Sequence, residues 1–396
     1  MRPLCAVTAI AIAAIAVAAT PAGAATPAVT AQAQAADAAF LAYAPVPAGG
    51  AGALCLVDTG VDVNPDTQAE LISATAVDGG TGNDVDPDGH GTTMAMIAGA
   101  AGHGMIGAWP QIKIVSVRAT DVPEPGHEPK FGFDDYTLGM DQCVNDSADH
   151  VHAIDLSLSS TIPPSPDQAQ AFANAVGSAG KQNIAIVAAA GNSPGAIEEP
   201  AAAPGVLAVG AGDPNNAICS FSATADLTFY APGCGLDEAN PATDQPTCCG
   251  NGTSQAAVFA AAVLVALMSY DPSLSYSAAE NLLVSTAVDG HLDATAAFDA
   301  AGLQAIVAEG NANIPRATTA FSVKTARWAA GKLTLLVSGL GGDRLAVQLE
   351  YRHAKSREVS TKSSRTVIRT AKPSLVLLRV FAGDKQLQGP IKVHVA

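Results

Sequence analysis

Three short segments of the chain hold side chains that could together break an acyl bond. Asp58 stands in Val57-Asp58-Thr59-Gly60, His90 in Asp88-Gly89-His90-Gly91-Thr92, and Ser254 in Asn251-Gly252-Thr253-Ser254-Gln255-Ala256. A serine hydroxyl is a poor nucleophile at neutral pH, so it needs a base within hydrogen-bond reach and donors for the developing oxyanion. A histidine can be that base, and a carboxylate behind it holds the ring tautomer and stabilises the imidazolium that forms. A fourth segment, Ala188-Ala189-Ala190-Gly191-Asn192-Ser193, adds an amide side chain able to donate to an oxyanion. Each segment alone has a plain alternative. Thr253-Ser254 could simply cap a helix, Gly191-Asn192 could be a turn, and Asp58 a solvated turn residue. His103, between Gly102 and Gly104, competes with His90 but follows a helical pattern rather than opening one. Asp62 and Asp66 are the next choices after Asp58 but lack its place at a strand end.

The elements that must position these groups read as an α/β domain. Leu54–Val57, Ile112–Val117, His152–Ser157, Ile184–Ala188 and Val206–Val209 are short, near-continuous apolar runs. Strands of a parallel sheet buried on both faces look like this. Between them lie helix candidates at Thr92–Ala101, Asp134–Cys143 and Asp167–Gly180, which gives the alternation of a doubly wound, mainly parallel sheet. Ser254–Tyr270 is apolar all round, so it predicts a central, buried helix with the serine at its amino end, beside the positive end of the helix dipole. Asp271-Pro272 stops it, and Ser275–Val288 starts another. After a linker at 309–319, Lys332–Val337, Leu345–Tyr351, Ser364–Thr370, Ser374–Phe381 and Ile391–Val395 predict a small antiparallel β-sandwich.

Taken jointly, the four segments in the order Asp, His, Asn, Ser resemble the subtilase (subtilisin-like, S8) family of serine proteases. The order separates that arrangement from the chymotrypsin and α/β-hydrolase ones, which reach the same geometry in other orders. The spacings, 32 residues from Asp58 to His90, 102 on to Asn192 and 62 on to Ser254, suit the family, and His291–Phe298 resembles the usual close of its domain. The resemblance covers roughly residues 50–302. It implies a serine endopeptidase acting on polypeptides through an acyl-enzyme, with Asp58, His90 and Ser254 catalytic and Asn192 and the Ser254 N–H as the oxyanion hole. It also implies that Ser157-Leu158-Ser159 and Ala189-Ala190-Gly191 are two backbone edges that hold an extended peptide and flank a roomy P1 pocket, tolerant of apolar or aromatic side chains. Gln255 and Val258 stand where the family motif usually has Met and Pro, and Thr93 where a second His is common; none of these does bond-breaking chemistry. The alternatives are an esterase with the same triad, or a catalytically silent binding protein on this scaffold.

Charge and cysteines bound the setting. Of the 20 Lys and Arg, 15 lie at or after Arg316 with only four acids, whereas residues 1–315 carry five bases and 32 acids. So abrupt a switch marks a domain boundary. Arg2, the apolar run Leu4–Ala19 and Ala22-Gly23-Ala24 read as an export signal over 1–24, too short and Ala-rich to span a bilayer. Residues 25–50 read as a linker or loosely docked arm, residues 51–308 as the peptidase domain, and 320–396 as a basic β-rich domain. Secreted subtilases usually carry an inhibitory prodomain before the catalytic domain, and 25–50 leaves no room for one. Removal of the signal takes Cys5 away and leaves six cysteines, an even number in an exported chain. The adjacent Cys248 and Cys249 would strain a bond to each other. They are expected to reach separate partners, most plausibly Cys219 and Cys234, bracing the loop before Ser254, with Cys55 a buried small side chain. Zinc is disfavoured because no His lies near these four.

The triad chemistry requires no cofactor. Asp84-Val85-Asp86-Pro87-Asp88-Gly89 imitates the opening of a calcium loop, but the twelfth position is Ala95 rather than Glu. The family often binds structural calcium, and this acidic domain has oxygen ligands for one without naming them. The basic tail carries few aromatics and no nucleic-acid motif, so nucleic acid is not expected. It suits a polyanionic cell-wall polymer or docking on the acidic domain.

Overall fold

Strand and helix alternate because apolar runs long enough for one strand are separated by amphipathic stretches, and the chain buries both by winding helices over a sheet. The computed structural model describes residues 36–77, 85–120, 131–146, 150–213, 215–242, 246–314, and the strand residues of 322–393 given below together with Pro373. The expected signal at 1–24 lies outside them, as does the first part of 25–50.

Seven strands form one parallel sheet: β1 (Ala53–Asp58), β2 (Leu71–Ala76), β3 (Lys113–Arg118), β4 (Val151–Leu156), β5 (Ala185–Ala189), β6 (Leu207–Gly212) and β7 (Phe229–Pro232). Their order is β2-β3-β1-β4-β5-β6-β7. From β1 the chain goes first to the sheet edge as β2, comes back as β3 between β2 and β1, then crosses past β1 to lay down β4 and continue the other way. The carboxyl ends of β1 and β4 therefore meet at the topological switch point, where a crevice opens in sheets of this kind. Asp58 is the last residue of β1, and Ser157 follows directly on β4.

The period-2 geometry of a strand decides which side chain meets which layer. In β1, Leu54 and Leu56 face one core, shared with α1 (His90–Gly99) and α4 (Thr253–Tyr270). Ala53, Cys55 and Val57 face the other, with α2 (Phe133–Asn145) and α3 (Pro166–Lys181). Asp58 continues the Leu54–Leu56 face, toward α1 and α4. The α4 helix passes the length and composition test for a membrane span, but 89 % of it is buried inside the protein. It is the central helix that the all-round apolar pattern predicts. Ser275 caps α5 (Tyr276–Thr286) through a hydrogen bond to Ala278 N–H.

Several elements depart from the sequence reading. β2 and β7 are sheet-edge strands that the apolar runs do not announce; β2 is half exposed and lacks a continuous apolar pattern. The arm is not loosely docked where it is described. Phe40 and Leu41, in a 3-10 turn at Ala39–Tyr43, are fully buried, and Phe40 meets Phe298 of α6 (Ala294–Ala300) edge-on with centroids 5.0 Å apart. The stretch read as a linker opens inside α7 (Gln304–Asn313). Beyond it, β10 (Ser322–Ala329), β11 (Lys332–Ser338) and β14 (Arg365–Arg369) form one antiparallel sheet. β12 (Arg344–Tyr351), β13 (Ala354–Thr361), β15 (Leu375–Ala382) and β16 (Lys385–Val393) form another. Leu333 and Leu335, and likewise Val347 and Leu349, are fully buried at alternate positions of their strands, and Val376 is fully buried too, the alternation of two-layer β structure.

The disulfides also differ from expectation. Cys219 pairs with Cys234, at the start of a two-stranded hairpin of β8 (Cys234–Ala239) and β9 (Pro246–Asn251), and not with Cys248 or Cys249. The side chains of Cys248 and Cys249 lie outside the described residues. Cys55 is not a lone buried side chain: it faces α2 and bonds Cys143 there, with a sequence separation of 88 residues. Closing so long a loop removes much denatured-state entropy. Replacing both Cys55 and Cys143 by Ala is expected to lower unfolding free energy in urea by about 2–4 kcal/mol; a loss below about 1 kcal/mol would show that the bond only decorates a preformed core.

Candidate active site

Asp58 is 2 % exposed, and a carboxylate there needs partners for its lost water. Its Oδ1 accepts from the Thr59 N–H at 2.7 Å and from His90 Nδ1–H at 2.8 Å. The second bond fixes the tautomer and leaves His90 Nε2 free to accept. His90 is the first residue of α1, and its ring is 30 % exposed. Its approach depends on Gly91: a Cβ there would collide with the Gly60 carbonyl oxygen and crowd Asp58 Oδ1 at 3.1 Å.

A second aspartate holds the start of α1 in place. The helix has no side-chain cap from its own N-cap residue, Gly89, which sits at φ +92°. Asp86 does that work. Its Oδ2 accepts from the N–H and hydroxyl of Thr92, and its Oδ1 from Gly89 N–H and the Thr59 hydroxyl. Thr59 Oγ1 in turn accepts from Gly91 N–H at 2.9 Å. The segment that imitates a calcium loop is thus a latch between the end of β1 and the start of α1. Among the described residues no group of three or more His, Cys, Asp or Glu side chains is arranged to hold a metal ion. The competing residues are occupied elsewhere: Asp66 accepts from the N–H groups of His103, Gly104 and Met105, and Asp62 from that of Asp86.

Burial by itself disfavours a charged His90 ring, but the Asp58 carboxylate outweighs it, with smaller help from Asp88 and from Asp155 when ionised. The result is a pKa raised from 6.5 to about 9. Because the folded value lies above the unfolded one, the pair stabilises the fold fully below pH 6.5, and that contribution fades as pH rises through about 9.

Ser254 is the second residue of α4, half-buried. Gly252, two residues before it, is extended at φ 174°. Ala256 and Ala257 are fully buried and let the first turn sit close to the sheet. Two serines are cross-linked here: Ser254 Oγ donates to the Ser157 carbonyl at 2.8 Å, and Ser157 Oγ lies 2.9 Å from the Ser254 carbonyl oxygen. Ser157 Oγ is also 2.6 Å from Asp155 Oδ2. A hydroxyl has one proton, so Ser157 Oγ donates to one of these two acceptors, the Asp155 carboxyl or the Ser254 carbonyl, at a time. Complete burial pushes Asp155 well above the usual carboxylate range; the Ser157 hydrogen bond opposes this and the Asp58 charge adds to it.

Asp155 has no place among the residues picked out from the sequence. Its signal was there, as an aspartate inside the apolar run His152–Ser157. In register it pairs with Leu56 across β1–β4, so it shares the face on which Asp58 lies.

Asn192 sits opposite. Its Oδ1 accepts from the N–H of Thr253 at 2.9 Å and the Thr253 hydroxyl at 3.0 Å, which turns its amide N–H donors outward, beside the N–H of Ser254. The two expected peptide edges differ. Ala190 N–H is spent on the Val209 carbonyl and Gly191 N–H on Thr253 Oγ1. Ala189, Ala190 and Gly191 thus form a buried wall with no donor at Ala190 or Gly191 for a peptide. The backbone groups of Leu158 and Ser159 make no hydrogen bond among the described residues, so that edge is open to an added strand.

An aspartate–histidine pair thus joins the end of β1 to the start of α1, and a serine hydroxyl at the start of α4 is bonded to the segment that follows β4. The subtilase family model matches residues 49–326, about 70 % of the chain. The chain belongs to the subtilase family. Minor extracellular protease Epr of Bacillus subtilis (strain 168) is 30 % identical to this subtilase over 225 residues, 56 % of this chain and 32 % of its own length. M-protease of Shouchella clausii (strain KSM-K16) is 30 % identical over 238 residues, 59 % and 58 % of the two lengths. The chain therefore spans about a third and under two thirds of these two relatives. The crystal structure of a cold adapted subtilisin-like serine proteinase shares the fold, with a TM-score of 0.54 at 22 % identity over 63 % of this chain and 90 % of its own.

His90 of this subtilase should titrate near pH 9 in histidine-resolved NMR. Asp58→Asn should lower the midpoint, because the burial penalty is then opposed only by the smaller help of Asp88 and Asp155. Asp155→Asn should move it far less, because Asp155 is the smallest of the causes that raise it. A parallel drop in both variants would mean that Asp155 is ionised.

Proposed function

We propose that the chain is a secreted serine endopeptidase, and the observation that carries this is the Asp58–His90 hydrogen bond at the start of α1, a helix that shares a core with α4, which bears Ser254. His90 Nε2 takes the proton of Ser254 Oγ as the hydroxyl leaves the Ser157 carbonyl and attacks the peptide carbonyl. Asp58 holds Nδ1–H and stabilises the imidazolium. The oxyanion sits between the Ser254 N–H, at the positive end of an 18-residue helix, and the Asn192 amide. His90 then protonates the leaving amine, and water, activated by the same ring, hydrolyses the acyl-enzyme. The substrate lies extended along Leu158-Ser159, with Ala189–Gly191 as the facing wall. Export is supported by the signal-like first 24 residues and by two disulfides, bonds that persist in oxidising compartments. The Epr relative is named as extracellular.

Peptide turnover by the full chain should vanish in Ser254→Ala, falling by about 10⁶ in kcat. Asn192→Ala should lose about 10²–10³ in kcat with little change in KM, since it acts on charge that exists only in the transition state. Turnover that survives Ser254→Ala would place the chemistry elsewhere.

A further inference from the structure

The carboxyl group of Glu198 lies between the two segments that flank the P1 pocket, P1 being the residue whose carbonyl is attacked. From one side, Ser159 Oγ donates to Glu198 Oε2 at 2.7 Å. From the other, Gly191, at φ +110°, faces the same side chain so closely that a Cβ there would lie 2.6 Å from both Glu198 Cγ and Cδ. The backbone holds it there: Glu198 N–H donates to the Ala190 carbonyl, and the next residue, Glu199, pairs with Ser160 in both directions, at 3.0 and 2.7 Å. A half-buried carboxylate is thus fixed where a pocket tolerant of apolar or aromatic side chains was expected.

No described cation pairs with Glu198. Between residues 151 and 213 the only Lys or Arg is Lys181, at the far end of α3. One carboxylate oxygen is held by Ser159, which leaves Oε1 for a ligand. A lysine or arginine side chain would find its counter-charge there. An apolar one would strip water from an unpaired charge, and an acidic one would meet like charge, so the site selects by repulsion as well as attraction. The surrounding domain helps, since residues 1–315 hold five bases against 32 acids and attract cationic segments.

We propose that Glu198 is a specificity-determining residue that selects polypeptides with lysine or arginine at P1. This rests on the serine-peptidase reading above, and the experiment separates the two. Peptides identical except for Lys, Arg, Phe or Glu at P1 are given to the full chain and to Glu198→Gln. The expected result is kcat/KM at least about tenfold higher for Lys and Arg than for Phe. In Glu198→Gln that ratio falls to about one, through a higher KM for Lys and Arg and a lower one for Phe. A Phe preference in wild type, or a ratio that Glu198→Gln does not move, overturns the inference. If no peptide is turned over in a Ser254-dependent way, the peptidase reading fails. Calorimetric binding of the Lys and Phe peptides to Ser254→Ala, with and without Glu198→Gln, then decides the role of Glu198 alone. A Lys preference lost with Glu198→Gln supports it; equal binding, or none, overturns it.

Discussion

The contact on which the rest depends is the hydrogen bond from His90 to Asp58, formed where the sheet has no water to offer. Taking a carboxylate out of solvent costs several kcal/mol unless its oxygens are matched, and here Oδ1 carries the match, accepting from both the Thr59 N–H and the His90 ring, while Oδ2 is buried with no hydrogen-bond partner among the described residues. The neighbourhood can be understood as what keeps that match in register. The end of β1 and the start of α1 are laced by Thr59, Asp86 and Thr92, and Gly91 leaves the room that the approach needs. The strand order puts this latch at the one place where β1 and β4 open onto a common crevice.

Across the crevice, the buried helix α4 presents its amino end, and the links there are again side chain to backbone. Thr253 is tied to Gly191 and Asn192, and Ser254 to Ser157 in both directions. Asp155 underlies the serine pair while Asp58, on the same face, accepts from His90. Burial raises the Asp155 carboxyl well above the usual range, and the Asp58 carboxylate raises the His90 ring. One orients the nucleophile's segment and the other drives the base.

Much of this was legible in the sequence, for a definite reason. Asp58, His90, Asn192 and Ser254 each sit beside glycines or small residues that a close approach demands, and each lies at the end of a strand or the start of a helix that periodicity reveals. The central helix at Thr253–Tyr270 was equally plain, because only a core tolerates eighteen such residues. What could not be read depends on tertiary register. Asp155 becomes informative only once β4 lies beside β1, and Glu198 only once Ala190 and Ser160 hold its loop. The edge strand β2 lacks a two-sided apolar pattern because it is largely uncovered, and β7 is only four residues long. The cysteine pairing failed because adjacency argued against one bond, between Cys248 and Cys249, and said nothing about the rest; the face on which Cys55 points is what selects Cys143. The docking of Phe40 and Leu41 likewise follows from a groove made by α6 and α7, far along the chain.

The central claim is that the Asp58–His90 pair activates Ser254. Covalent labelling of the folded full chain by a fluorophosphonate, followed by intact mass and peptide mapping across pH, tests it most directly. The account predicts one adduct, on Ser254, formed at a rate that climbs as pH rises through about 9, where His90 becomes free to accept a proton. No adduct in the folded protein, an adduct on another residue, or a rate indifferent to pH over that range would contradict it.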